Sequence, residues 1–242
     1  SVFSTIHEGG HALYELGVED AYNHTCLTGG ASMGIHESQS RFYENIIGRS
    51  REFIELIFPK MQEIFPEQLK NVTAYDLYRA VNKAQPSLIR TDADEVTYCL
   101  HVMVRYELEK QLIAGTLSVY DLPKEWNRLY KEYLGVDVPD DKHGVLQDSH
   151  WSGGGIGYFP SYALGSAYGV QMLAAMEKDF NPWVDVEKGD LSRVTAWLGD
   201  KIHRHGRMLK PHQLIENSCG CAFDPTAYTG YLKEKFTKLY NL

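Results

Sequence analysis

The sequence predicts a mainly α fold with a small β-sheet confined to one glycine-rich stretch. Three observations carry that prediction. Apolar residues recur at helical spacing through most of the chain. Caps and glycine stops bracket those runs. Only "TCLTGGASMG", rich in Gly, Ser and Thr, reads as loop or a short strand pair.

Taken in order, the first helix is expected over about Val2 to Leu16. It carries Ile6, Leu13 and Leu16 near one face and stops at Gly17. After the glycine-rich stretch, "IHESQSRFYENIIGRSREFIELIF" reads as one long helix with Phe42, Ile46 and Ile47 inward, and Pro59 and Pro66 punctuate its far end and the residues beyond it. "TAYDLYRAVNKA" starts at a Thr73 cap and ends before Pro86. "DADEVTYCLHVMVRYELEKQLIAG" is the clearest amphipathic helix: Val96, Leu100, Val104 and Leu108 share a face, and Gly115 closes it. "SVYDLPKEWNRLYKEYLG" is a further helix with Pro123 near its start. Helices resume from about Tyr162 to Lys178 and Leu191 to His205, with one more near the C-terminus.

Between them, "DDKHGVLQDSHWSGGGIGYFPSYALGSAYG" is rich in glycine and aromatics and lacks clean periodicity over its first half. Such loops on a rigid scaffold often carry function. Gly153–Gly155 resembles a phosphate loop only superficially, because no Lys-Ser/Thr follows. No repeat or linker interrupts the 242 residues, so residues 1–242 read as a single region.

Composition narrows the function classes. The chain is 43% hydrophobic and 23% charged, which is globular, and its net charge of −8 argues against a nucleic-acid binder. No apolar run is long enough to cross a bilayer, and the N-terminus lacks the basic and apolar regions of a signal peptide. Cys26, Cys99, Cys219 and Cys221 are expected as reduced thiols in a cytoplasmic protein. "CGC" lacks the second spaced pair of a structural zinc site, and the sequons at Asn23 and Asn71 carry no meaning in the cytosol.

The chemistry concentrates at "IHEGGHALYE". His7 and His11 are four apart, so a helix puts both imidazoles on one face within reach of one ion. Glu8 is rotated about 100° from His7, which frees it to take a proton from water activated by a metal. A catalytic zinc takes three protein ligands and keeps one position open. Glu37 in "HESQ", thirty residues after His7, suits the third place if the second helix folds back beside the first. Glu44 and His36 are its rivals. Gly9 and Gly10 weaken the helix but let a neighbouring element come close, an explanation that suits Gly10 better than Gly9.

"HEGGH", "IHESQSRFYEN", "IRTDADEVTY", "GVLQDSHW" and "GYFPSYALG" occur in that order. Together they resemble the carboxypeptidase Taq family of metallocarboxypeptidases, nearly from Ser1 to Leu242. The resemblance implies a helical zincin-like metallopeptidase with a deep cleft, dependent on Zn2+ or activated by Co2+. It implies removal of C-terminal residues from peptides with broad specificity, and a cytosolic homodimer. It also implies that His7, His11 and Glu37 are metal ligands and Glu8 the catalytic glutamate. Arg90 would hold the substrate's terminal carboxylate, with His150 and Tyr158 lining the cleft near the scissile bond. Family members are about twice as long, with HExxH near the middle, so the chain resembles the C-terminal half of such an enzyme and is expected to expose apolar faces.

The residues themselves leave some of these roles open. A bidentate guanidinium suits a free carboxylate, but Arg41 and Arg105 are chemically equal to Arg90, which could instead pair with Asp92 or Asp94. His150 or Tyr158 can donate to an oxyanion or simply pack among aromatics. Asp148 can orient a histidine or cap a turn. "HRHGR" at His203–Arg207 reads as a solvated basic patch. Two other functions fit the same residues: a metalloendopeptidase, or a metal-binding or assembly module without activity.

Overall fold

The computed structural model describes residues 2–242 and divides into two compact units. One comprises the chain up to Asn82 together with Leu164–Leu242; the other is Lys83–Ala163.

In the first unit, α1 (Val2–Leu16) packs on α2 (Met33–Arg41). Its buried positions are Gly10 and Tyr14, with His7 and His11 half-buried beside them, while Leu16 is 82% exposed. The inward face is therefore the 7, 10, 11, 14 stripe rather than the one through Ile6, Leu13 and Leu16. The stripe is helical in spacing but built of glycine, imidazole and phenol, so an apolar count does not find it.

α2 opens on Ser32, whose side chain accepts the Ile35 amide. It passes into a π-helical segment, Phe42–Ile47, before a break at Gly48 and Ser50. α3 (Arg51–Ile64) then starts at a Ser50 cap. The expected single helix is thus two, with a widened turn at its middle. Pro59 does not stop α3 but lies inside it, where buried Ile54 and Phe58 hold that face against the core. α4 (Ala74–Val81) has a full capping box between Thr73 and Asp76. From Leu164 on, α7 (Pro160–Asp179) belongs to this unit, followed by α8 (Trp183–Lys188), α9 (Ser192–Lys201), α10 (Pro211–Cys219) and α11 (Thr226–Tyr240). Its core includes Tyr14, Ile35, Phe42, Ile54, Met172, Met176, Val194 and Leu198.

No strand occurs among the described residues, which corrects the expected small sheet. The glycine-rich stretch bonds to helix side chains instead of to a partner strand. The Gly30 amide donates to Glu15 Oε1 at 3.1 Å, and the Ala31 amide to the Tyr14 hydroxyl at 3.0 Å. Backbone donors that a ladder would use are satisfied by α1.

The second unit is built on α5 (Tyr98–Ile113) and α6 (Leu122–Leu134). α5 starts later than its apolar pattern suggests. The Asp94 side chain accepts the Val96 and Thr97 amides and holds that stretch in a turn, leaving Val96 outside the helix and exposed. Val104 and Leu108 pack with Leu122, Trp126, Leu129, Tyr130 and Leu134. Pro123 opens α6, and Gly135 in the left-handed region closes it.

Candidate metal centre

The histidines of α1 face α2 at close range because little stands between the helices. A β-carbon at Gly10 would meet the backbone of Gln39 and Ser40. A β-carbon at Gly165 of α7 would lie 2.5 Å from Glu37 Cβ. α2 is therefore clamped between two glycines, and Glu37, 2% exposed, has little freedom to move.

His7, His11 and Glu37 each offer one ligand atom, and these atoms lie within 4.8 Å of one another. The two Nε2 atoms are 3.2 Å apart, and His7 Nε2 is 3.6 Å from Glu37 Oε2. Ligands about 2.1 Å from a tetrahedral ion stand roughly 3.4 Å apart, so the donor set fits a divalent cation that binds nitrogen and oxygen.

The rivals for the third place lie behind the histidines. Glu44 Oε2 accepts from His7 Nδ1 at 2.9 Å, and Arg49 reaches the other Glu44 oxygen at 3.4 Å. His36 Nδ1 is 3.2 Å from His11 Nδ1. Both imidazoles are thus occupied at Nδ1 and turn Nε2 toward the common point. Burial pushes the Glu44 carboxyl up, but the His7 hydrogen bond and the charges of Arg41 and Arg49 outweigh it, so the group lies below the usual carboxylate range. Burial likewise lowers the His11 pKa, which favours the neutral ring a metal needs. Glu8 is exposed on α1 next to His7.

In the second unit, Arg90, His150 and Tyr158 also lie together, although not as a free guanidinium among aromatics. Arg90 is 5% exposed and donates from Nε and Nη2 to Asp148 and from Nη1 to the Tyr98 hydroxyl. Its ion-pair partner is Asp148, not Asp92 or Asp94. Arg105, fully buried, meets the other Asp148 oxygen at 2.6 Å. Asp148 thus joins two guanidiniums. Burial pushes its carboxyl up, but Arg90 and Arg105 hold it below the usual range. His150 Nε2 is 3.0 Å from the Tyr162 hydroxyl, its ring centre is 5.5 Å from that of Tyr158, and burial with nearby Arg90 lowers its pKa.

Several groups of this cluster escape a motif reading. Gln147 Oε1 accepts from the Arg90 amide and from Arg105 Nη2. Glu109, 5% exposed, accepts from Trp151 Nε1 at 2.7 Å and the Gly157 amide at 3.1 Å, which pins both ends of the glycine-rich loop. The available signal was the row His101, Arg105, Glu109: polar residues at four-residue spacing, which in α5 are all buried.

"HRHGR" is not wholly a solvated patch. Arg204 is exposed, but His203 is 1% exposed and its Nε2 donates to Gln39 Oε1 at 2.8 Å. A β-carbon on Gly17 would collide with its ring, so close packing fixes it there.

Comparison with known proteins identifies the family. The profile described as carboxypeptidase Taq (M32) metallopeptidase matches residues 1–236. Carboxypeptidase 1 of Bacillus subtilis is 46% identical over 244 residues, covering 100% of this chain and 48% of that protein. Thermostable carboxypeptidase 1 of Pyrococcus furiosus is 41% identical over 237 residues, covering 98% of this chain and 47% of its own. The crystal structure of the M32 carboxypeptidase from Deinococcus radiodurans R1 matches with a TM-score of 0.96 at 46% identity, over 100% of this chain and 49% of that one. The chain spans about half the length of the relatives it matches.

Proposed function

Because the chain belongs to the carboxypeptidase Taq (M32) metallopeptidase family, we propose that it carries the catalytic centre of a metallocarboxypeptidase acting on peptides with a free C-terminal carboxylate. Membership implies a divalent metal. The observation that carries the reading is the convergence of His7 Nε2, His11 Nε2 and a Glu37 oxygen. These residues would hold the ion, with zinc the best match to a His2Glu donor set and cobalt a workable substitute. When bound, such an ion supplies Lewis-acid polarisation and offsets negative charge on oxygen.

The chain's own residues do the rest. Glu8, exposed beside His7, removes a proton from water as it adds to the last peptide carbonyl. The same carboxyl then returns the proton to the departing amine as the C–N bond breaks. Arg90, held by Asp148 and Tyr98, grips the substrate's terminal carboxylate. His150 or Tyr158 donates to the developing oxyanion. Residues 1–242 act as a single catalytic region in this reading, with broad side-chain tolerance, as a cytoplasmic homodimer. The four free cysteines suit a reducing compartment.

The test is paired hydrolysis of one peptide with a free and an amidated C-terminus, after loading with zinc. Release of the last residue from the free peptide alone is expected. Rapid internal cleavage of the amidated peptide would replace the reading with a metalloendopeptidase, and stoichiometric metal without hydrolysis would leave a metal-binding module.

A further inference from the structure

The two histidines of the candidate metal centre are supported differently. His7 Nδ1 meets a carboxylate directly, Glu44. His11 Nδ1 meets a second imidazole, His36, whose Nε2 lies 2.6 Å from Glu15 Oε1. Hydrogen-bond polarity links the protons along that chain. Ionised Glu15 can only accept, so His36 carries its hydrogen on Nε2 and donates it. In the tautomer with its hydrogen on Nε2, His36 accepts at Nδ1, so His11 donates from Nδ1. The lone pair of His11 is left on Nε2, the atom 3.2 Å from His7 Nε2. The opposite tautomer of His36 would set an Nε2 lone pair against the Glu15 carboxylate, and its Nδ1 hydrogen would make His11 accept at Nδ1 and carry its own hydrogen on Nε2, where the lone pair is needed.

The surroundings hold His36 in that pose. Tyr14 lies against its ring with centroids 4.8 Å apart. Gly30 leaves room for both rings: a β-carbon there would fall 2.5 Å from His36 Cδ2, 2.6 Å from its Nε2 and 2.7 Å from Tyr14 Cε1. The Gly30 amide also donates to Glu15 Oε1 and aims that carboxylate at His36.

We infer that His36 and Glu15 are positioning residues that lock His11 in its metal-binding tautomer through an imidazole relay, with Gly30 as the seat of that relay. This inference rests on the metal centre proposed above. Its consequence is that metal affinity depends on a residue that does not touch the ion.

Zinc affinity of the whole chain, measured by competition with a chromophoric chelator, tests it, together with the visible spectrum of the Co2+ form. His36→Ala is expected to weaken zinc by about 10–100-fold and shift the Co2+ bands. His36→Asn, whose Oδ1 falls near the original Nδ1 and accepts the same hydrogen, is expected to recover most of that loss. Glu15→Ala, at a half-exposed side chain, carries the test by itself should His36→Ala misfold, and is expected to weaken zinc in the same direction. Parent-like affinity in His36→Ala, or in Glu15→Ala, overturns the relay while leaving the metal centre intact. An Asn variant no better than the Ala variant also overturns it. A parent chain that takes up no zinc removes the metal centre, and this inference with it.

Discussion

A β-carbon added to Gly10 would stand 2.6 Å from Ser40 Cα, so α1 and α2 meet backbone to backbone beside the histidine pair. Its neighbour Gly9 has nothing within 4 Å of the same position. The two glycines of HEGGH therefore have opposite costs. Gly9→Ala is expected to stabilise the chain by about 0.5–1 kcal/mol, the helix-propensity difference. Gly10→Ala is expected to destabilise by about 1–3 kcal/mol, because backbone must move. Urea unfolding of both variants checks this, and equal effects would reject the contact.

Glu8 is on α1 but outside the proposed ligand set. Glu8→Gln keeps shape and removes only the base. Metal content should stay at the parent value while turnover falls by at least about 10²–10⁴-fold. A variant that hydrolyses as fast as the parent would take Glu8 out of the mechanism.

Asp148 stands between two buried guanidiniums, Arg90 and Arg105. Asp148→Asn keeps the volume and removes the negative charge that faces them both. The loss is expected to destabilise the chain by about 3–5 kcal/mol, as when one partner of a buried ion pair is removed. Arg90→Lys with Asp148 intact should cost less, since a cation still faces the carboxylate. Thermal and urea unfolding distinguish the two, and an Asp148→Asn chain as stable as the parent would mean that the arginines are solvated.

His101 is fully buried, with Nδ1 3.1 Å from the Tyr130 hydroxyl, and burial together with nearby Arg105 pushes its pKa down to about 3. The folded state thus keeps the ring neutral, while the unfolded chain protonates it near pH 6.5. Its contribution to stability is complete above that value and is lost as pH falls toward 3. Between pH 7.5 and pH 5 the parent should lose about 2 kcal/mol more than His101→Gln, which lacks the titrating group. A pH-independent difference between the two chains would show that His101 takes up its proton without unfolding.

Much of this was legible in the sequence, for reasons that differ by element. The bounds of α1 and the Thr73 cap of α4 follow from local signals, so they could be read directly. That His7 and His11 share a face follows from helical period alone. The π-helical turn at Phe42–Ile47 was not legible, because its residues are as apolar as those of an ordinary helix. The expected strands failed because Tyr14 and Glu15, far away in sequence, take the backbone donors of the glycine-rich stretch. His203 reads as charged beside Arg204, and only tertiary packing against Gly17 and Gln39 makes it a buried neutral ring. Asp148 gave no sign that it would join Arg90 to Arg105, since that pairing spans 58 and 43 positions.

His7 and Glu37 lie thirty positions apart, with α1, the glycine-rich connection and α2 between them. An ion gripping both ends closes that stretch into a loop, as a covalent cross-link would. Closing it removes conformational freedom mainly from the unfolded chain. In the proposed centre the ion would be a staple as well as a reagent, and part of its binding free energy would become folding free energy for this stretch. Chelation should raise amide hydrogen exchange across residues 7–37 before it does so in α5 and α6, whose packing contains no ligand.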